Sequence, residues 1–434
     1  MSWVFFAAAL AGALFTLNAL RPPHRFWLVQ GPAFFASWLT SELAPHHLLW
    51  QAAATAGFLY AGAVVGWQGR AALGLVALSW AGLAWLHVES RRARTTMEGA
   101  LREALGDDYR AAIAENLAAA LDEPMRLGQR VILLPVRDRR VERIANVPFF
   151  EVAGRTMKLD VYRPRERRGR CPVLLQIHGG AWIIGAKETQ ARPLMTRLAS
   201  HGWLCVAASY RLSPRATFPD HLIDVKAAIR WIREHGAEYG ADPDFIVLSG
   251  GSAGGHLSAL AALTPNDPEY QPGFEEVDTR VQACVPFYGV YDFTDRRSHW
   301  GKSLLLPMLE RYILKLHRKD AGDAFDRASP MSRVNEGAPP FFVIHGSRDT
   351  LVPAEDARLF VELLRAVSKE PVAYAELPGA QHAFEVFPSE RTVHAIGGVE
   401  RFLDWVYSRY LKTAALSSEE KRKLVVEEKQ KLVG

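Results

Sequence analysis

The chain has 434 residues, of which 49% are hydrophobic and 23% charged, and its formal net charge is +5. That length exceeds a single compact core at about 100–200 residues per domain, so two or three regions are expected. The composition is close to globular averages, and the basic excess comes without a recognisable nucleic-acid-binding motif, which argues against nucleic acid as a partner.

Residues 1–90 read as a transmembrane helical region with three or four hydrophobic segments. The runs 3–20, 48–67 and 71–88 are nearly free of charge, and each approaches the roughly 20 residues needed to cross a bilayer. A further stretch, 26–44, is apolar but carries Gln30, Ser37, Thr40, Ser41 and Glu42. It fits a span, a re-entrant segment or an interfacial helix. Gln68-Gly69-Arg70 reads as a tight link that makes the last two runs an antiparallel pair. The first run has no positive leading segment and is followed by further apolar runs, so it reads as a span and not as a signal peptide. Gly12, Gly57, Gly62, Gly66, Gly74 and Gly82 are expected to let helices approach closely. With three spans, Arg21 and Arg25 share a side with Arg91, Arg92 and Arg94. With four spans they part. The positive-inside rule therefore favours three spans, a multi-pass cell-membrane protein and a cytoplasmic catalytic region.

Residues 91–145 read as a basic helical linker or cap, with a helix over 97–121. Between Arg91 and Arg170 there are 18 Lys/Arg against 12 Asp/Glu. This excess suits anionic lipid headgroups, and equally an ordinary solvated surface. From residue 146 to 412 the pattern changes to an α/β domain. FFEVAGRTMKLDVYRP reads as two strands joined near Gly154. Apolar runs follow at 172–177, 203–208, 245–249, 281–287, 341–345 and 372–377, with helical patterns between most of them, such as 220–235, 253–263 and 354–367. Short, continuously apolar strands alternating with helices predict a mostly parallel sheet covered on both faces. Residues 296–330 interrupt the alternation and hold the cluster Leu304, Leu305, Leu306, Met308 and Leu309, which suits a lid, a pocket wall or a connecting helix. Residues 413–434 read as a charged C-terminal tail. Cys171, Cys205 and Cys284 lie in or beside strand-like runs and are expected to be free, buried thiols.

The strongest local signal is Gly250-Gly251-Ser252-Ala253-Gly254, a G-x-S-x-G between the strand FIVLS and the helix AGGHLSALAAL. That context defines a nucleophile elbow, with the serine hydroxyl exposed on a strained turn in an α/β-hydrolase fold. A serine needs a base, and in this fold the chain order is serine, acid, histidine. Asp349, past the strand FFVIHGS, and His382, past VAYAELP, fit that order. His382 would accept the hydroxyl proton, and Asp349 would fix its tautomer and stabilise its charged form. Among competitors, His345, His256, His394, Asp220 and Asp224 read as structural, and Asp292 as a weaker alternative acid. His178-Gly179-Gly180-Ala181-Trp182 supplies the oxyanion hole: two of the Gly179, Gly180 and Ala181 N–H groups, plus that of Ala253. His178 itself reads as a loop brace.

The motifs HGGAW, SYRLSPRATFPDHLIDVKAAIRWI, GGSAGGHLSALAAL, HGSRDTLVP and GAQHAF resemble those of hormone-sensitive-lipase-type esterases, and most of all the membrane-associated Lip carboxylesterases of mycobacteria and related actinobacteria. The likeness covers roughly residues 146–410 strongly and the hydrophobic N-terminus in kind. It implies hydrolysis of carboxylic esters with short or medium acyl chains, with no cofactor and no metal, and assigns Ser252, Asp349 and His382 as the triad. Two positions depart from the wider family: Ala181 stands where HGGG has its last glycine, and Gly251 where an aspartate often precedes the serine. The expected function is a membrane-anchored serine carboxylesterase whose partners are the bilayer and a hydrophobic, lipid-derived ester. The alternatives are an amidase or formamidase of the same fold, or a noncatalytic membrane scaffold. The oligomeric state is left open.

Overall fold

A computed structural model describes residues 1–23, 27–121, 123, 138–166, 169–301 and 303–433. Most of the basic linker after Leu121, together with Arg25, Arg167 and Arg168, lies outside the described residues.

The sheet has eight strands: β1 (Val141–Val152), β2 (Arg155–Pro164), β3 (Cys171–Ile177), β4 (Leu204–Ala208), β5 (Ala241–Gly251), β6 (Ala283–Phe287), β7 (Phe341–Gly346) and β8 (Val372–Leu377). Their order is β1-β2-β4-β3-β5-β6-β7-β8. β1 and β2 form an antiparallel hairpin that joins β4 antiparallel, and every later pairing is parallel. The central strands are buried along their whole length because both faces are covered. Side chains alternate between two cores. Val173, Leu175 and Ile177 join one, with Leu248 and Val206, while Leu174, Val247 and Cys205 join the other.

Thirteen helices are described in full or in part: α1 (Ser2–Leu20), α2 (Trp27–Glu42), α3 (Ala44–Tyr60), α4 (Gly66–Arg91), α5 (Ala93–Leu105), α6 (Glu115–Leu121), α7 (Arg192–Ser200), α8 (Asp220–Tyr239), α9 (Ala253–Leu263), α10 (Leu305–Met308), α11 (Gly322–Arg327), α12 (Ala354–Val367) and α13 (Glu390–Val433). α8, α9 and α12 cover the first core, and α5, α7 and α13 the second. The helix expected over 97–121 is broken: Gly106 (φ 93°) ends α5, and a 3₁₀ turn over Tyr109–Ala112 precedes α6. α13 runs from Glu390 to Val433 and takes in the charged C-terminal stretch. In the 296–330 insertion the apolar cluster folds inward, with Leu305 and Leu309 buried and Leu304 exposed. All three cysteines are buried, and none forms a disulfide with another.

The N-terminal helices are organised differently from the sequence expectation in two respects. The turn between α3 and α4 lies at 61–65, with Gly62 (φ 70°) and Gly66 (φ 73°) in left-handed conformations; Gln68-Gly69-Arg70 is inside α4. The second concerns the glycines. Gly12 lies against Gln51 and Gly82 against Thr16, but Gly57 and Gly74 face open space. α1 and α4 run side by side in the same direction. Trp3 meets Trp67 at 5.5 Å near one end, Thr16 bonds Ser79 at 2.8 Å further along, and Gly82 lies near Leu20. α1 and α4 are long and apolar enough to cross a membrane.

Candidate active site

β5 ends at Gly251 and α9 begins at Ala253, so Ser252 is the whole turn. Its φ of 57° and ψ of −119° lie outside the conformations an L-residue adopts without strain. Two bonds hold it there: its N–H donates to the Phe287 carbonyl at 3.0 Å, and its carbonyl accepts from His256 N–H at 2.9 Å. The motif glycines are required by close passage. A Cβ on Gly250 would stand 2.6 Å from the Ile177 carbonyl, and one on Gly254 would overlap the same oxygen. At Gly251 the space that a side chain would need is filled by Tyr288, whose hydroxyl would be 2.5 Å from the added Cβ.

Asp349 and His382 are brought together. His382 Nδ1 is 2.6 Å from Asp349 Oδ2. Asp349 Oδ1 accepts the Leu351 and Val352 N–H groups, each at 2.9 Å. Burial pushes the Asp349 carboxyl up, but the neighbouring His382 and His345 outweigh it and hold it well below the usual range. An ionised Asp349 makes Nδ1 the donor and leaves Nε2 of His382 as an acceptor. Among the described residues neither Nε2 of His382 nor Oγ of Ser252 has a hydrogen bond, and catalytic bonds of this kind often tighten only with substrate bound.

The candidate oxyanion loop keeps two of its three candidate donors. The Gly179 N–H donates to Gln190 Oε1 at 2.6 Å, so it is engaged and the loop's donors reduce to Gly180 and Ala181. The Ala253 N–H opens α9, ahead of that helix's own hydrogen-bond ladder. Gly180, Ala181 and Trp182 all have positive φ (120°, 53° and 59°). Ala181 thus pays a backbone strain that glycine at this place avoids.

The competing residues have structural partners. His178 stacks on Tyr210 at 4.3 Å and bonds the Gly179 carbonyl at 2.8 Å. His256 sits between Trp182 Nε1 and the Ala328 carbonyl. Asp292 pairs with Arg296, Asp220 and Asp224 pair with Arg211, and His394 lies 3.7 Å from Glu390. His345 is closer to the chemistry than expected, 3.3 Å from Asp349 Oδ2.

Three residues at the site lie outside the quoted motifs, and a fourth, Gln381, lies within GAQHAF with no role assigned from sequence. Gln381 Oε1 accepts from Thr350 N–H at 2.8 Å and His382 N–H at 2.9 Å, tying the acid loop to the histidine loop. The Tyr288 ring lies 4.5 Å from that of His382, and its hydroxyl bonds the buried Glu385. Phe34 of α2 meets His382 edge-on at 6.2 Å. A cavity of about 800 Å³ opens between Arg21, Pro22 and Gln30 on one side and the acid loop on the other, but neither Ser252 nor His382 lines it.

A strained serine at a strand-to-helix turn, a donor loop beside it and a histidine–aspartate pair past later strands define an α/β-hydrolase. A family model described as BD-FAE matches residues 159–364. The chain is 46% identical over 418 residues to "Probable carboxylic ester hydrolase LipM" of Mycobacterium tuberculosis, covering 93% of this chain and 92% of that one. It is 42% identical to "Esterase LipQ" of the same organism, over 78% of each chain. Thermogutta terrifontis esterase 2, solved in a form phosphonylated by sarin, is 28% identical with a TM-score of 0.50, covering 58% of this chain and 88% of that one. The chain belongs to the Lip-type carboxylesterases of the hormone-sensitive-lipase-like family, and it is a carboxylic ester hydrolase.

Proposed function

We propose that this is a membrane-anchored serine carboxylesterase that works through Ser252, His382 and Asp349. The observation that carries the reading is the 2.6 Å bond between His382 Nδ1 and the buried Asp349 carboxylate, on loops past β8 and β7. With Nδ1 committed, Nε2 is the basic atom. It takes the Ser252 proton as Oγ attacks the ester carbonyl. The oxyanion forms against the N–H groups of Gly180, Ala181 and Ala253, at the positive end of α9. His382 then passes the proton to the departing alcohol, leaving a Ser252 acyl-enzyme. Water, activated by the same Nε2, attacks the acyl carbonyl and restores Oγ.

The membrane part of the reading rests on α1 and α4, whose outer surfaces are apolar, with Leu14, Leu17, Leu78 and Val88 exposed. Trp67 and Trp85 stand 18 residues apart on α4, about 27 Å at 1.5 Å per residue, which matches two aromatic belts at a bilayer's faces. α3 would return between them, and α2 would lie at the surface. A hydrophobic, lipid-derived ester fits a site placed there.

Purified full-length chain in detergent tests the chemistry with p-nitrophenyl esters and a fluorophosphonate probe. The wild type is expected to hydrolyse the esters and take the probe on Ser252, and Ser252→Ala to do neither. Asp349→Asn is expected to lower kcat by on the order of 10⁴-fold. Undiminished hydrolysis by Ser252→Ala refutes the mechanism.

A further inference from the structure

Three polar residues of α2, Gln30, Ser37 and Glu42, and the indole N–H of Trp38 bond the catalytic domain. Gln30 Nε2 donates to the Thr350 carbonyl at 2.5 Å, one residue past Asp349. Ser37 Oγ lies 3.4 Å from Gln381 Nε2. Trp38 Nε1–H donates to the Ala383 carbonyl at 2.9 Å. Glu42 accepts from Ser389 at 2.7 Å and pairs with the fully buried Arg391. Gln30, Phe34, Ser37, Trp38 and Glu42 recur every three or four residues, so they form one stripe of the helix. The opposite side, Val29, Phe35 and Leu39, is apolar and exposed. A soluble amphipathic helix has the reverse pattern.

We propose that α2 is a working part of the hydrolytic site, and that Phe34 is a positioning residue for His382. The inference rests on the reading of His382 as the base. A single hydrogen bond to Asp349 leaves an imidazole free to swing about it. Two ring contacts restrict that swing: Tyr288 at 4.5 Å, and Phe34 at 6.2 Å with planes 74° apart. α2 also holds the loop on which the ring is mounted. Residues 381, 382 and 383 each touch it, through Ser37, Phe34 and Trp38. Because Gln30 binds the acid loop as well, the helix acts as a splint across both triad loops. It sets where Nε2 points when the ester arrives.

The test uses the full chain in detergent, with Phe34→Ala, Phe34→Leu and Trp38→Phe. Phe34→Ala is expected to lower kcat by about 10- to 100-fold, the range for a base displaced by about 1 Å, with little change in KM. Phe34→Leu refills most of the volume and is expected to recover most of the rate. Trp38→Phe keeps the ring but loses the N–H, and a smaller fall in kcat at unchanged melting temperature is expected. Should Phe34→Ala fail to fold, Trp38→Phe decides the matter. Wild-type kcat in folded Phe34→Ala, or in Trp38→Phe where Phe34→Ala does not fold, overturns the proposal. Failure of the wild type to take a fluorophosphonate on Ser252 instead overturns the triad reading beneath it, so the two failures are distinguishable.

Discussion

Glu385 shows how one side chain makes the site sensitive to pH. It is buried, it bonds the Tyr288 hydroxyl, and its second oxygen has no hydrogen-bond partner among the described residues. Burial, only partly offset by Tyr288, pushes its carboxyl up to about 7 from 4.5. The folded state therefore favours the protonated form, while the unfolded chain ionises near its ordinary value. The stabilisation is complete at low pH and is lost as pH rises between about 4.5 and 7, by on the order of 3 kcal/mol. Glu385→Gln mimics the neutral acid and still accepts the Tyr288 hydrogen bond. Its melting temperature is expected to match the wild type at pH 4.5 and exceed it at pH 8, as read by calorimetry. An equal difference at both pH values contradicts this account. Tyr288 also explains Gly251: the ring that holds His382 fills the place an aspartate side chain would need.

At the scale of elements, the serine turn and its helix were legible because their signals are local. α9 and α12 have the residue ranges their apolar periods indicate, and the strands follow the short apolar runs. The contacts of α2 were not legible, since the atoms that Gln30 and Glu42 bind lie 320 to 349 residues further along the chain. Gln68-Gly69-Arg70 misled for a related reason: polar residues inside an apolar stretch imitate a turn, whereas the left-handed glycines Gly62 and Gly66 make the real one. The capture of the Gly179 N–H by Gln190 likewise depends on loop geometry and not on any motif. On the proposed role of α2, a chain restricted to residues 91–434 is an incomplete enzyme. It leaves Arg391 without Glu42 and the loops around Asp349 and His382 without the bonds from Gln30, Ser37 and Trp38. It is expected to melt well below the full chain and to hydrolyse p-nitrophenyl esters much more slowly. A fragment that matches the full chain in both measurements contradicts the splint.

For the whole molecule, the parallel course of α1 and α4 brings Arg21 to the same end as Arg91, Arg92 and Arg94, and Arg21 borders the cavity at the acid loop. If α1 and α4 span a bilayer as proposed, the basic residues and the catalytic domain share one side of it, and the positive-inside rule predicts that side to be cytoplasmic. A C-terminal tag is expected to resist added protease in intact cells and to be cleaved in inverted vesicles. Cleavage in intact cells reverses the orientation.

The distance along the chain between α2 and its partners also orders events during synthesis. Gln30 and Glu42 leave the ribosome early, yet the atoms they bind belong to Thr350 and Arg391. Contacts between such distant residues close late. A nascent chain can therefore have α1 to α4 and most of its sheet formed while Asp349 and His382 are still untranslated, and the contacts that join their loops to α2 must wait until those residues have left the ribosome.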